Sequence, residues 1–168
     1  DSLSVLENVM FPLDMFSAMT YRERMKRAQE CLDRVNLIDA QLKFPGEISG
    51  GMQKRVAIAR AIVMNPKYLF CDEPNSGLDP KTSLVIDELL SGLTKEYNMT
   101  TIINTHDMNS VMGIGENIIF IYNGRKEWQG TKDEVMSSTN KRLNALVFAS
   151  NLFKKVKEVE METLPPGD

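Results

Sequence analysis

The first quarter of the chain repeats apolar positions with the spacing of a helix. Between residues 2 and 19 this pattern is interrupted by Pro12, so it predicts either two short helices or one helix kinked at the proline. Thr20 and Glu23 form a capping-box pattern, which predicts that a second helix begins there. The apolar face of this helix consists of Met25, Ala28, Leu32 and Val35. The chain is therefore predicted to be helical over most of its first 44 residues.

Helices and short apolar strands alternate in the middle of the chain. A helix rich in small residues is predicted at 52–64, and it ends at Asn65-Pro66. Residues 68–72 are apolar up to their last position without alternation, which indicates a strand buried on both faces of a parallel sheet. A helix at 80–97 and a strand at 100–105 follow. This order of strand, helix and strand predicts an α/β domain with a parallel sheet.

The next part of the chain is predicted to end the sheet with a hairpin. A short helical turn at 108–114 precedes residues 118–122, which have the composition of a strand. Asn123-Gly124 then favours a type I′ turn, because both residues tolerate the positive φ that this turn requires. A second strand is predicted at 126–129. The sheet is therefore expected to finish with two antiparallel strands.

The C-terminal region is predicted to be helical from residue 131 onward. Thr131 and Glu134 form another capping-box pattern. Apolar residues recur at helical spacing after it, namely Leu143, Leu146, Val147 and Leu152. From Lys154 the chain is charged, and it finishes in two prolines, a glycine and an aspartate. This composition predicts a frayed tail.

Composition places the chain among globular proteins and excludes several classes of function. With 168 residues, 42% of them hydrophobic and 26% charged, the chain fits one domain with its own core. A net charge of −3 disfavours binding to nucleic acid, which requires a basic surface. No apolar run approaches the ~20 residues that cross a bilayer. Cys31 and Cys71 are far apart in sequence, so both are expected to be reduced thiols.

Two adjacent acids at the end of the first predicted strand are candidates for nucleotide chemistry. Hydrolysis of a nucleotide needs one carboxylate to hold Mg²⁺ and a second acceptor to orient or deprotonate the attacking water. Asp72 and Glu73 can serve these two roles, because successive side chains at a strand end diverge. The same pair also suits two solvated acids at the edge of a sheet. The neighbouring motifs have to decide between these interpretations.

A serine followed by two glycines precedes the helix at 52–64. Glycines allow a ligand to approach the backbone closely, and the amides at the start of a helix bind anions. Ser49, Gly50 and Gly51 are therefore candidates for contacts to a phosphate. The alternative is an ordinary helix cap followed by two loop glycines. The acids farther along the chain favour the phosphate interpretation.

His106 and Asp79 complete the set of candidate residues. His106 is the single histidine of the chain and follows a predicted strand, at the sheet edge where ligands bind parallel sheets. A lone histidine is also often a structural hydrogen-bonding group. Asp79 lies in the turn Ser76-Gly77-Leu78-Asp79 and precedes Pro80, so it is a candidate helix cap.

Taken together, these motifs resemble those of a known protein family. Residues 48–52, 68–73 and 76–79 resemble the signature, Walker B and D-loop motifs of ABC-type ATPases, and His106 resembles their switch histidine. The resemblance covers nearly the whole chain. It implies the C-terminal part of a P-loop NTPase core with a parallel sheet, together with the helical subdomain of ABC ATPases.

The resemblance also implies a division of the chain. Residues 1–47 would be the helical subdomain that faces a membrane partner, and 48–130 the signature helix with the C-terminal half of the ATPase core. Residues 131–168 would be C-terminal helices and the tail. The whole is expected at the cytoplasmic face of the inner membrane, as a peripheral subunit of an ABC transporter.

Site residues and partners follow from the same resemblance. Asp72 would hold Mg²⁺, Glu73 would be the general base, and His106 would contact the γ-phosphate of ATP. Ser49, Gly50 and Gly51 would bind the nucleotide of a second copy in a homodimer, and Asp79 would lie along that interface. A transmembrane permease subunit is the expected partner, and no nucleic acid is expected.

The sequence departs from the family pattern at two points. Met52 stands where the signature usually has glutamine, and with Lys54-Arg55 it resembles the ATPases of MCE-type phospholipid-trafficking systems. Peptide-importer ATPases also carry methionine there. In addition, the chain contains no G-x-x-x-x-G-K-[ST] loop and no Q-loop glutamine upstream of Ser2. The chain is therefore expected to be part of a longer one and to be inactive alone.

Three functions remain open at this stage. The first is the ATP-hydrolysing subunit of an ABC transporter for phospholipids. The second is the same subunit in an importer of peptides or other small molecules. The third is a soluble ABC ATPase of DNA repair or translation, although such proteins often separate these motifs by long coiled coils.

Overall fold

The computed structural model describes residues 2–147, and the predictions for Leu152 and for the tail from Lys154 lie outside this range. Within it the chain forms two compact units that divide between His106 and Asp107. No helix in the described part is long and apolar enough to cross a membrane.

The first unit begins with three helices that share one core. Helix α1 is one continuous helix that contains Pro12, which resolves the two alternatives that the sequence left open. Its N-terminus has a capping box between Ser4 and Glu7 that was not predicted. The predicted capping box of Thr20 and Glu23 begins α2. The helices are α1 (Val5–Phe16), α2 (Tyr21–Arg34) and α3 (Gly50–Ile62), with short 3₁₀ turns at Ile38–Ala40 and Pro45–Glu47 between the last two.

A parallel strand pair completes the first unit and confirms the predicted α/β fold. Strand β1 (Tyr68–Asp72) is followed by α4 (Pro80–Glu96) and β2 (Thr100–Asn104). The two strands pair in parallel, with Tyr68 opposite Thr100 and Asp72 opposite Asn104. Their carboxyl ends therefore lie side by side, and the residues that follow each strand emerge at the same edge.

One prediction about β1 is wrong. The sequence indicated a strand buried on both faces, whereas burial alternates along it. Leu69 is 5% exposed, while Tyr68 and Phe70 are 64% and 72% exposed, as is Ile102 of β2 at 50%. The physical reason is that the helices of this unit cover one face of the pair, where Leu69 joins the same core cluster as Leu90 of α4.

The second unit contains the predicted hairpin. Asn123 and Gly124 have φ values of 48° and 71°, as the type I′ interpretation requires. The hairpin forms a two-stranded sheet of its own, so the expectation that it finishes the parallel sheet is wrong for the described residues. Trp128 packs against a small core around Val135 and Leu143. The elements are α5 (Met108–Ile114), β3 (Ile118–Tyr122), β4 (Arg125–Gly130), α6 (Lys132–Ser137) and α7 (Lys141–Val147).

Three capping boxes make the helix starts sensitive to acid. The pKa values of Glu7, Glu23 and Glu134 lie below their ordinary value of 4.5, first because the backbone N–H of the cap residue donates to each carboxylate, and second because the cap hydroxyl does. A lowered pKa in the folded state means that the stabilisation is present above the unfolded pKa. It is lost as the pH falls through the folded value.

We therefore expect Glu23→Gln to reduce the dependence of stability on acid. Glutamine can still occupy the capping box but carries no charge to lose. Between about pH 6 and about pH 3 the unfolding temperature of the variant should fall less than that of the wild type. Thermal unfolding followed by circular dichroism measures this difference. Glu88→Gln, at an exposed position of α4, is the control, and an equal acid-induced loss in all three proteins would contradict the expectation.

Candidate functional site

Asp72 and Asn104 end the two parallel strands and contact each other. The Nδ2 atom of Asn104 donates a hydrogen bond to Oδ1 of Asp72 at 2.7 Å. Both side chains are exposed at the carboxyl edge of the strand pair. Sequence reasoning assigned Asp72 to the site and missed Asn104, although a polar residue at the end of an apolar strand was a visible signal. The amide orients the carboxylate while leaving it open to solvent.

Glu73 has an unusual backbone conformation directly after β1. Its φ is 46°, in the left-handed region that residues other than glycine rarely adopt. Its N–H donates to the carbonyl of Asn104 at 2.8 Å. Its own carbonyl accepts from the N–H of Ser76 at 3.1 Å and from Nζ of Lys54 at 3.4 Å. The surrounding hydrogen bonds therefore hold a conformation that the residue alone would not favour.

The carboxylate of Glu73 is paired with His106. Its Oε1 lies 2.8 Å from Nδ1 of the imidazole and accepts the backbone N–H of His106 at 3.1 Å. The histidine side chain is 82% exposed and the glutamate side chain 34% exposed. The structure thus brings together Asp72, Glu73 and His106, which are 34 positions apart at most, because the parallel pairing aligns the ends of β1 and β2.

The serine and glycines of the predicted phosphate segment begin α3. Ser49 is the N-cap, and its Oγ accepts the N–H of Met52 at 3.3 Å. Ser49 and Gly50 are exposed, whereas Gly51 is buried. The serine therefore acts as a helix cap, and the exposed amides at the helix start remain compatible with an anion. Among residues 2–147, no hydrogen bond joins these three residues to Asp72 or Glu73.

The two glycines differ in what surrounds them. A Cβ added to Gly51 would lie 2.6 Å from Cγ2 of Thr82 on α4, which is closer than real contacts allow. A Cβ on Gly50 would lie 3.9 Å from Cδ2 of Leu78, which is an ordinary contact. Sequence reasoning assigned both glycines to a ligand. The structure gives Gly51 a packing role between α3 and α4 and leaves Gly50 as the accessible one.

Asp79 caps α4 at the end of the loop that follows Glu73. Its Oδ1 accepts the N–H groups of Lys81 and Thr82, each at 3.0 Å. The hydroxyl of Thr82 also donates to this carboxylate, and it is the main reason that the pKa of Asp79 is lowered. The loop reaches Asp79 through Gly77, whose φ of 79° suits glycine. The sequence-based expectation of a helix cap is thus observed.

Comparisons with known proteins show what the chain is similar to. A family model described as "ABC transporter" matches residues 1–76. The methionine import ATP-binding protein MetN of Carboxydothermus hydrogenoformans is 40% identical over 135 residues, which are 80% of this chain and 40% of that protein. The protein of the same name from Corynebacterium jeikeium is 36% identical over 163 residues, which are 97% of this chain and 44% of that protein. The chain is homologous to ABC transporter ATP-binding domains.

Solved structures support the same assignment. A dimeric ATP-binding cassette in a post-hydrolysis state with ADP and Pi matches with a TM-score of 0.68 and 40% identity, over 78% of this chain and 57% of that one. An inward-facing ABC transporter structure matches with a TM-score of 0.76 and 25% identity, over 89% and 59% of the two chains. The fold is that of an ABC ATPase cassette, and the chain spans less than half the length of the two curated relatives.

The side chains at this edge suit magnesium as proteins usually bind it. Mg²⁺ is commonly bound through one or two carboxylates, with water and substrate phosphates completing its coordination. Asp72 offers one exposed carboxylate of this kind. In residues 2–147 there is no group of three or more histidine, cysteine, aspartate or glutamate side chains that could hold a metal without such additional ligands. The residues present therefore fit a magnesium ion that arrives with a nucleotide.

We predict that Gly51→Ala destabilises the protein, because the added methyl group overlaps Thr82. Overpacking of this kind typically costs about 1–3 kcal/mol, whereas helix propensity alone would favour alanine by up to about 1 kcal/mol. Thr82→Ser removes the methyl carbon and keeps the hydroxyl that donates to Asp79. The double variant Gly51→Ala/Thr82→Ser should therefore regain the lost stability. Denaturant unfolding measures the three free energies.

Gly50→Ala is the matched control for this experiment, since its nearest contact is ordinary. Its free energy of unfolding should stay within about 0.5 kcal/mol of the wild type. Equal losses for Gly50→Ala and Gly51→Ala, or no recovery in the double variant, would show that the contact with Thr82 does not set the requirement for glycine.

Proposed function

We propose that the chain supplies the hydrolytic residues and the signature segment (residues 48–52) of the ATP-binding subunit of an ABC importer. The observation that carries this proposal is the pairing of Glu73 with His106 beside Asp72, at the carboxyl edge of the parallel strands. This edge is where α/β proteins bind ligands. The homology to ABC transporter ATP-binding domains supports the same function.

The proposed roles follow from the chemistry of each side chain. Asp72 would hold the magnesium ion, which neutralises charge on the phosphates when it is bound. Glu73 would accept a proton from the attacking water or orient it, since its carboxylate is held in place but remains partly exposed. His106 would fix that carboxylate through Nδ1 and its backbone N–H. Its exposed imidazole would also contact the γ-phosphate.

The signature segment would act on a nucleotide bound by a second copy of the protein. Gly50 is exposed at the start of a 13-residue helix, so a phosphate can approach the backbone amides there. We propose that two subunits enclose two ATP molecules and that Asp79 lies along their interface. The dimeric cassettes among the related structures support this arrangement. A permease in the inner membrane would be the partner that the ATPase drives.

The relatives favour a small-molecule importer over phospholipid transport. Proteins from several bacteria that match this chain are named as methionine import ATP-binding proteins. The resemblance of Met52 and Lys54-Arg55 to phospholipid-trafficking ATPases finds no support among them. We therefore propose an importer of an amino acid or a similarly small molecule, with methionine as the first candidate.

Glu73→Gln should lower the ATPase turnover of the complete gene product by about 10²–10⁴-fold, because it removes the proposed base while keeping the shape of the side chain. The Kd for ATP should stay the same. Phosphate release measures turnover, and fluorescence of a labelled nucleotide measures binding. Glu116→Gln, at an exposed position of the second unit, is the control.

Unchanged turnover in Glu73→Gln would exclude the role of general base. The 168-residue chain alone is expected to show no turnover in the same assay, because it contains no phosphate-binding G-x-x-x-x-G-K-[ST] loop. A robust magnesium-dependent rate from the chain alone would contradict that expectation.

The substrate class is tested on the complex with its permease. We expect methionine to change the ATPase rate of the complex in a bilayer of fixed composition. Phospholipid headgroups offered in a second series of vesicles should not do so. A rate that responds to the phospholipid and not to methionine would favour the lipid alternative over the importer.

A further inference from the structure

Two polar side chains pair in the interior beneath the loop that joins Glu73 to Asp79. Nδ2 of Asn75 donates a hydrogen bond to Oδ1 of Asp87 at 2.8 Å. Asn75 is 8% exposed and Asp87 is 5% exposed. Asp87 lies on α4, directly after the buried Ile86 and before the exposed Glu88. A carboxylate is thus buried on a helix whose other buried residues are apolar.

Packing alone does not explain a carboxylate at this position. Removing an acid from water is costly unless hydrogen bonds compensate it, and a buried apolar residue of similar size often stabilises a protein as well or better. The neighbouring buried positions of α4 are filled by Ile86, Leu90 and Leu93. A leucine at position 87 would extend that core. The presence of an acid at this buried position is therefore explained by its hydrogen bond to Asn75.

The residue that Asp87 holds lies at the centre of the loop. Asn75 comes two residues after Glu73, and its carbonyl accepts the N–H of Leu78 at 3.1 Å. The carbonyl of Glu73 accepts the N–H of Ser76 at 3.1 Å in the preceding turn. These two overlapping turns connect Glu73 to the cap of α4 at Asp79. Fixing the side chain of Asn75 therefore fixes both turns relative to the helix.

Glu73 needs such support on its C-terminal side. Its N-terminal side is held by the hydrogen bond to Asn104 and its carboxylate by His106. Its left-handed φ of 46° places the following peptide in a direction that the residue itself does not favour. Its carbonyl accepts the N–H of Ser76 at 3.1 Å within the loop itself, and from outside the loop Lys54 reaches it at 3.4 Å, which is a long hydrogen bond. The shorter, buried bond between Asn75 and Asp87 is the stronger anchor.

We propose that Asp87 is a positioning residue for the hydrolytic site. Through Asn75 it holds the loop from Glu73 to Asp79 in the conformation that aligns the Glu73 carboxylate with His106. It also links that loop to α4. This inference rests on the proposed function, since it assigns Asp87 a role in the reaction of that site.

A reciprocal swap tests the proposal. Asn75→Asp leaves two carboxyl groups facing each other without a donor, and Asp87→Asn exchanges the carboxyl acceptor for an amide oxygen, which accepts more weakly. Each should lower kcat about 10-fold or more with little change in KM, because misplacement of a reacting group by about 1 Å costs up to about 10²-fold. The double variant Asn75→Asp/Asp87→Asn restores a donor opposite a carboxylate with the same atoms exchanged. It should recover most of the lost kcat. Rates are measured on the complete gene product, well below its unfolding temperature.

The stability control is Thr94→Val on the same helix. The Oγ1 atom of Thr94 lies 2.6 Å from that of Thr101 and donates to the carbonyl of Leu90, at the opposite end of α4 from the loop. This variant should lose stability without losing kcat. If Asp87→Asn lowers the unfolding temperature as Thr94→Val does and leaves kcat unchanged, Asp87 is a structural residue only and the proposal is overturned.

A second readout does not depend on ATP hydrolysis. Long-range ¹H–¹⁵N spectra report the tautomer of His106, whose signal is assigned by its loss in His106→Gln. Asp87→Asn should shift this signal towards that of Glu73→Gln, and the swap should reverse the shift. Unaltered His106 signals in Asp87→Asn would overturn the proposal even if the wild type proved to have no ATPase activity. Absence of wild-type activity with the expected shifts would instead contradict only the proposed function.

Discussion

The parallel pairing of β1 with β2 is the constraint on which the candidate site depends. Asp72 lies opposite Asn104 in this register, so the residues that follow the two strands leave the sheet at neighbouring points. That placement lets Glu73 accept from the backbone and the imidazole of His106. A shift of one residue would turn alternate side chains to the other face and would separate these partners. Lys54 of α3 reaches the carbonyl of Glu73, and α4 begins where the loop after Glu73 ends.

The unit that contains the candidate site has both exposed polar groups and buried, packed ones. Asp72 and His106 are exposed, and the side chain of Glu73 is partly exposed. The same unit contains a buried glycine packed on Thr82 and a buried pair of Asn75 with Asp87. Accessible polar groups and buried, packed groups are therefore found together in this unit. Preorganisation is what a hydrolytic site requires, because the reacting groups lose little entropy when the substrate binds.

Much of the fold could be predicted because its signals are local. Capping boxes at Thr20 and Thr131, the Asn123-Gly124 turn and the apolar stretches of β1 and β2 each depend on nearby residues. The failures concern contacts between distant parts of the chain. Apolar composition could not show that only one face of β1 is covered, and two adjacent glycines could not show that Gly51 meets Thr82. The partnership of Asn75 with Asp87 likewise needs the path of the loop back to α4.

The division of the chain at residue 106 has a practical consequence for spectroscopy. Trp128 is the single tryptophan of the sequence, and it packs in the core of the second unit. Its fluorescence therefore reports the environment of that unit. The long helices α1 to α4 belong to the first unit and dominate the far-ultraviolet circular dichroism of the described residues. The two signals are natural labels for the two units, and comparing them reveals whether the units lose their structure in one cooperative transition or in two.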